Sequence, residues 1–214
     1  MDKENNNANE TWILDEEGKI NLIEKLEIDF SNVLNNMGID LANDPNSCDT
    51  PHRIAKMLVR ETFAGRFDEP PKITTFPNSK EMDQAIISGP IRIESFCSHH
   101  WQPFVGEAFV GYIPGENVLG ISKLSRVAKY YSKRPQIQEE LTEQIADHIE
   151  DILEQPKGIA VLIRSSHFCM TTRGVHDTGA LMTTSSLRGA FKEDPATRAE
   201  FFALVNNSIT QIKS

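Results

Sequence analysis

Two short segments of this chain concentrate groups able to hold a metal or move a proton. Cys97-Ser98-His99-His100 packs a thiol and two imidazoles into one short run. At the end of a strand, a Cys-x-x-His spacing lets a turn aim Cys97 and His100 at one point, which suits a zinc-binding turn. Far downstream, His167-Phe168-Cys169 offers another imidazole and another thiol. Read as a continuing strand, the period of two puts His167, Cys169, Thr171 and Arg173 on one face: a base, a soft ligand and a cation. Cys97, His100 and Cys169 would then form a three-ligand set with an open fourth position, the pattern of a catalytic zinc; structural zinc is usually closed by four ligands. The open position would take water, whose pKa zinc lowers to about 7, and His99 and His167 would be left beside it to move protons. The alternative is that Cys97 and Cys169 are core thiols and the histidines hydrogen-bonded surface groups. Neither segment matches H-E-x-x-H, and no C-x-x-C completes a deaminase signature.

Basic residues recur at helical spacing. Arg53, Lys56 and Arg60 fall at i, i+3 and i+7, and Lys123 and Arg126 are one turn apart. Each group reads either as a solvated face or as a set of anion contacts. Ser122 before Lys123 would place a hydroxyl and free backbone N–H groups at a helix N-terminus, which favours an anion.

These residues need elements to position them. Leu22, Leu26, Phe30, Val33, Leu34 and Met37 form an apolar stripe over a helix from about Asp15 to Met37, with Gly38 as its stop. Thr50-Pro51 supplies an N-cap and a proline at the first helical position of a second helix, running to about Phe63. Ile91, Ile93, Ser95 and Cys97 alternate with Arg92, Glu94 and Phe96 as a strand, and Phe104 to Ile113 is its hairpin partner. Helices follow over about Lys123 to Ser132 and Pro135 to Glu154. The second carries Leu141, Ile145, Ile149 and Ile152 on one face and acids on the other. A β-branched strand runs from Gly158 to Arg173, a further strand from Ala180 to Ser186, and Asp194-Pro195 starts a terminal helix through about Val205. Strands in pairs with two helices between the pairs predict an α+β domain built on antiparallel sheet. The expected divisions are a polar, flexible tail over 1–14, a helical region over 15–70 and a catalytic domain over 71–214.

With 22 Lys and Arg against 31 Asp and Glu, the net charge of -9 over 214 residues disfavours nucleic-acid binding through bulk electrostatics. A small anion in a locally basic pocket stays open. No apolar run approaches the ~18 residues of a membrane span, and the polar start lacks a secretion signal. The three cysteines form no disulfide framework. The expected home is the cytoplasm.

Taken in order, Thr50-Pro-His-Arg-Ile-Ala-Lys-Met57, Cys97-Ser-His-His100, Gly120-Ile-Ser-Lys-Leu-Ser-Arg126, Arg134-Pro-Gln-Ile-Gln-Glu-Glu-Leu-Thr142 and His167-Phe-Cys169 with Arg173-Gly174 resemble the GTP cyclohydrolase I family. The resemblance spans about Ile20 to Leu204. It implies a T-fold (tunnelling fold), in which antiparallel sheets of several subunits join into a barrel, with an N-terminal helical part and a homodecameric assembly. It implies Zn2+ held by Cys97, His100 and Cys169, and a catalytic set of His99, His167 and Ser122. Gln138 and Glu139 match the guanine-recognition segment. Arg53, Lys56, Lys123, Arg126 and Arg173, with Ser122, match the triphosphate contacts, some supplied by a neighbouring subunit. The implied reaction is attack of zinc-activated water on purine C8 of GTP, opening of the imidazole ring with loss of formate, Amadori rearrangement of the ribose and closure to 7,8-dihydroneopterin triphosphate.

One position departs from the family's usual Cys-Glu-His-His: Ser98 stands where the glutamate would be, removing an acid beside the metal-binding turn. Two further readings keep the scaffold and change the outcome. One is a zinc-stabilised nucleotide-binding module without turnover, the other an enzyme that stops at a ring-opened or cyclic-phosphate product. A related nitrile-reducing T-fold enzyme would use a cysteine nucleophile and has no need of the three-ligand set. Cys48 matches no ligand.

Overall fold

The computed structural model describes residues 7–212 and divides at Glu69/Pro70 into two compact units. In the first, helix α1 (Glu16–Asn36) starts where Asp15 accepts a hydrogen bond from the Gly18 N–H, satisfying one of the donors a helix start leaves open. It ends before Gly38, whose φ of 81° lies in the left-handed region where glycine meets no steric penalty. Helix α2 (Thr50–Met57) begins one residue earlier than the sequence reading placed it. Thr50 is already helical with Pro51 behind it, and Asp49 is the capping position. The chain continues through a π-helical turn (Leu58–Thr62) into the short α3 (Ala64–Phe67). Of the polar N-terminal tail, residues 1–6 lie outside the described residues. Beyond them, Trp12 and Leu14 donate backbone hydrogen bonds to the carbonyls of Arg66 and Phe67, and Arg66 reaches the carbonyls of Asn7, Ala8 and Glu10.

The second unit is built on a sheet in the order β5-β2-β3-β6-β7. Its strands are β2 (Ile86–Cys97), β3 (Pro103–Ile113), β5 (Pro135–Gln136), β6 (Gly158–His167) and β7 (Met182–Gly189). A separate small pair is β1 (Thr75–Pro77) with β4 (Asn117–Leu119). All long pairings are antiparallel; only the short β5 runs parallel to β2. The protein therefore mixes helix with antiparallel sheet.

Both faces of the sheet are covered. On one, helices α4 (Ile121–Ser132) and α5 (Gln138–Leu153) bury Leu124, Val127, Leu141, Ile145 and Ile149 against Ile93, Val110, Tyr112, Val161 and Ile163. On the other, α7 (Ala190–Glu193) and α8 (Pro195–Ile212) bring Phe191, Phe201 and Val205 onto Phe109, Ala160 and Leu162. Neighbouring strand residues alternate between these two clusters, which is why β6 reads as a continuous apolar run. Asp194 accepts from the Ala196 and Thr197 N–H groups and so caps α8. Among the described residues no helix is long and apolar enough to cross a membrane.

One expected element is corrected. The strand predicted to run to Arg173 stops at His167, and Phe168–Thr171 is a helical turn, α6. The ladder ends because β3 begins at Pro103, and its last pairing with β6 is Phe104 with His167. Proline has no N–H to extend the ladder. The period-two argument for Cys169, Thr171 and Arg173 therefore fails, although Cys169 still reaches the site by another route.

Candidate active site

The topology gathers the chemistry at one sheet end. Strands β2 and β6 both run antiparallel to β3, so both finish at the same edge, and Phe104 of β3 sits between Ser95 on one side and His167 on the other. Cys97 closes β2, 5% exposed. Its N–H bonds the Gln102 carbonyl and its carbonyl accepts from the Trp101 N–H, which makes Ser98 to His100 a tight turn. Trp101 has a φ of 51°, an uncommon conformation for a residue with a side chain, and it completes that turn. The Ser98 N–H donates to the Gln136 carbonyl and ties the turn to β5. A buried network holds β5 in turn: Ser95 Oγ donates to the Arg134 carbonyl, and Gln136 Nε2 to Ser95 Oγ and the Tyr131 carbonyl.

On this frame Cys97 and Cys169 meet. Both thiols are free, and Cys169 packs against the cluster that contains Cys97. Burial pushes the Cys169 thiol above its ordinary value, the adjacent Cys97 adds to the effect, and nearby Arg173 opposes it. Two thiols packed together are a place where a soft divalent cation would be favoured, since it binds the thiolates. The imidazole within reach of Cys97 Sγ is that of His99, with Nδ1 at 3.6 Å. His100 follows it, exposed, on the same turn. The donor types suit zinc, yet among the described residues no group of three His, Cys, Asp or Glu side chains is arranged to hold a metal ion.

His167 occupies a different environment. It is 7% exposed, its ring stacks on Phe104 with centroids 4.6 Å apart and an interplanar angle of 8°, and its Nε2 lies 2.9 Å from Gln138 Oε1. Burial lowers its pKa, and the charge of Glu139 works against that. Gln138 opens α5 and is fully buried, whereas Glu139 beside it is exposed. The family resemblance groups the two in a guanine-recognition segment, and their surroundings differ. The structure also adds residues that the sequence reading missed: Ser165, Thr142 and Thr184, all hydrogen-bonded to Gln138. Ser165 was findable, because it shares a strand face with His167.

The basic candidates fall in three places. Ser122, Lys123 and Arg126 occupy the first turns of α4, with Ser122 and Arg126 exposed and Lys123 half-buried. Arg173 is exposed in the loop after α6, where the Asp177 N–H donates to the Met170 carbonyl. Arg53 and Lys56 belong to α2 of the first unit. Arg53 pairs with Asp49 at 3.3 Å, both well exposed, and Lys56 lines a shallow cleft with Ile20, Ile23, His52 and Arg60.

Fold and site together give an α+β protein with thiol and imidazole groups gathered at one end of an antiparallel sheet. The comparison with known proteins is more specific. The sequence profile described as GTP cyclohydrolase I matches residues 26–206, and the chain belongs to the GTP cyclohydrolase I family. A GTP cyclohydrolase 1 of Aeromonas hydrophila subsp. hydrophila is 42% identical over 181 residues, covering 84% of this chain and 82% of the relative. One of Shewanella denitrificans is 43% identical over 178 residues, covering 83% of this chain and 81% of the relative. Among solved structures, an archaeosine synthase QueF-Like in the apo form aligns with a TM-score of 0.39 at 19% identity, covering 56% of this chain and 97% of that one, a likeness too loose to carry an argument.

Proposed function

We propose that this chain catalyses the reaction of its family: hydrolytic opening of the guanine imidazole ring of GTP, release of formate and formation of 7,8-dihydroneopterin triphosphate. The observation that carries the reading is the meeting of Cys97 and Cys169 at the sheet end, beside the His99 turn, in a chain of this family. Cys97, Cys169 and His100 are the proposed holders of Zn2+. When bound, the ion would supply Lewis-acid chemistry and lower the pKa of water toward neutrality.

The chain's own residues do the rest. His99 and His167 are the proposed proton-transfer groups, one on the exposed turn and one in a buried, stacked position. The exposed Glu139 carboxylate, near His167, is suited to accept from two adjacent N–H groups of guanine at once. Lys123, Arg126 and Arg173, together with Arg53 and Lys56, are the proposed triphosphate contacts, and Ser122 adds a hydroxyl at the α4 start. Residues 71–214 form the catalytic domain in this reading and 15–70 a helical region. A T-fold homodecamer is the proposed assembly. It is supported by the position of β7, which among the described residues is an edge strand paired with β6 alone, a place where another copy could pair. The proposed location is the cytoplasm.

Incubating the purified protein with GTP tests the reading. Formate and, after oxidation, neopterin fluorescence are expected in equal amounts. GTP returned intact by zinc-loaded protein would overturn it.

A further inference from the structure

We propose that Gln138 is a positioning residue for His167: its amide oxygen holds His167 as the Nε2–H tautomer, leaving Nδ1 as the nitrogen that exchanges protons with substrate. The inference rests on the functional reading for the role of His167, but not for its tautomer.

The orientation of the Gln138 amide is set by two backbone carbonyls, which only accept hydrogen bonds. Its Nε2 lies 3.1 Å from the Ile163 carbonyl and 3.3 Å from the Met182 carbonyl, on strands β6 and β7, with Thr184 Oγ1 at 3.0 Å. Turning the amide over would set Oε1 against two carbonyl oxygens inside the protein, leaving acceptors unpaired where water cannot reach them. Oε1 must therefore face the other way, where Ser165 Oγ donates to it at 2.5 Å and His167 Nε2 stands at 2.9 Å. An amide oxygen only accepts, so the hydrogen in the second bond belongs to His167 Nε2. A neutral imidazole carries one N–H, and its other nitrogen then holds the lone pair.

The assembly around this bond is rigid. The Gln138 carbonyl accepts from Thr142 Oγ1 at 2.8 Å, and Thr142 and Thr184 share a hydrogen bond of 2.6 Å. Phe104 stacks flat on the imidazole and resists its rotation. With Oε1 accepting from two donors and the amide hydrogens directed at three acceptors, Gln138 has no capacity left for a purine edge. The neighbouring exposed Glu139 is the residue of the pair that can read guanine.

The wild-type tautomer is measurable without any variant, by solid-state ¹⁵N NMR of histidine-labelled protein as purified, with the His167 signals assigned by their loss in His167→Gln. A protonated Nε2 and an unprotonated Nδ1 are expected; the reverse would overturn the proposal, whatever the activity. In Gln138→Met, of similar length but without the acceptor, the expected result is a mixture of tautomers and a kcat lower by about 10- to 100-fold, at or below the lower end of the ~10²–10⁴-fold a positioned base supplies, since the imidazole itself is kept. KM for GTP should stay within about twofold, and the preference for GTP over inosine triphosphate, which lacks the 2-amino group, should be unchanged. A raised KM with unchanged kcat, or a changed preference, would mean that Gln138 touches the purine and would refute the positioning role. If His167→Ala keeps full turnover, the functional role of His167 fails while the tautomer result still stands on the spectrum alone.

Discussion

Cys97 at the end of β2 and Cys169 in the helical turn after β6 pack against each other because both strands are antiparallel partners of β3 and therefore end at the same edge of the sheet. The pairing places two soft donors together without a disulfide.

Removing either thiol, or His100, is expected to abolish bound zinc, since a site of three protein ligands loses most of its affinity with one of them. Metal content per chain in Cys97→Ala, His100→Ala and Cys169→Ala checks this. Full occupancy in a folded Cys169→Ala protein would remove that residue from the ligand set. His99→Ala should keep its zinc and lose turnover; loss of metal instead would exchange the roles of the two histidines on the turn, as the contact of His99 Nδ1 with Cys97 Sγ invites.

Phe104 joins the core to the site. It is fully buried and stacks on His167. Phe104→Ala is expected to cost about 3–5 kcal/mol of stability, the range for truncating a buried aromatic side chain. Phe104→Leu should cost far less and still free the imidazole, so that turnover falls more than stability does. Denaturant unfolding set beside turnover separates the two effects.

Much of this was legible in the sequence, for a physical reason. Ile91, Ile93, Ser95 and Cys97 alternate in burial along β2 as their spacing predicts, and Asp15 and Asp194 mark helix starts that their side chains do cap. Such features depend on neighbours in the chain. The end of β6 was not legible, because it is decided by Pro103 on the partner strand, far away in sequence. The surroundings of Gln138 were not legible either: the family resemblance groups it with Glu139, and the carbonyls of β6 and β7 that its amide meets are brought there only by the fold.

A second histidine gives stability a pH dependence away from the site. His148 on α5 receives a hydrogen bond from the Tyr131 hydroxyl, or donates one to it, through Nδ1 at 3.1 Å. Burial lowers its pKa, Asp151 partly offsets this, and Arg134 adds to the lowering. The unfolded chain binds the proton at its ordinary pKa of ~6.5, while the folded chain refuses it until the pH is lower. Stability that is present above ~6.5 is therefore lost progressively as the pH falls from that value to the lower folded pKa. Wild type should weaken from pH 7 to pH 5 more steeply than His148→Gln, measured by denaturant midpoints at each pH. Parallel slopes would show that His148 does not couple to folding.

The basic residues decide between a GTP enzyme and a metal-stabilised scaffold, because they lie outside the thiol pair. Lys123 is half-buried in the first turn of α4, where the helix dipole favours an anion, and Arg173 stands exposed near Cys169. If both meet the triphosphate, Lys123→Ala and Arg173→Ala should each raise KM for GTP with zinc content unchanged. A charge-assisted contact is worth about 1.5–3 kcal/mol, or roughly ten- to a hundredfold. Because the whole chain is acidic, the attraction must be local, and KM should climb as salt screens it. Guanosine carries no phosphate, so it should be a poor substrate and respond to neither change. Mixing Arg173→Ala chains with Cys97→Ala chains adds a geometric test. Activity above both parents requires that the two residues serve one site from different subunits, since a site built wholly within one chain would stay broken in every copy. Unaltered GTP kinetics in both single variants would leave these cations as a solvated face and point to a protein that holds metal without turning over the nucleotide.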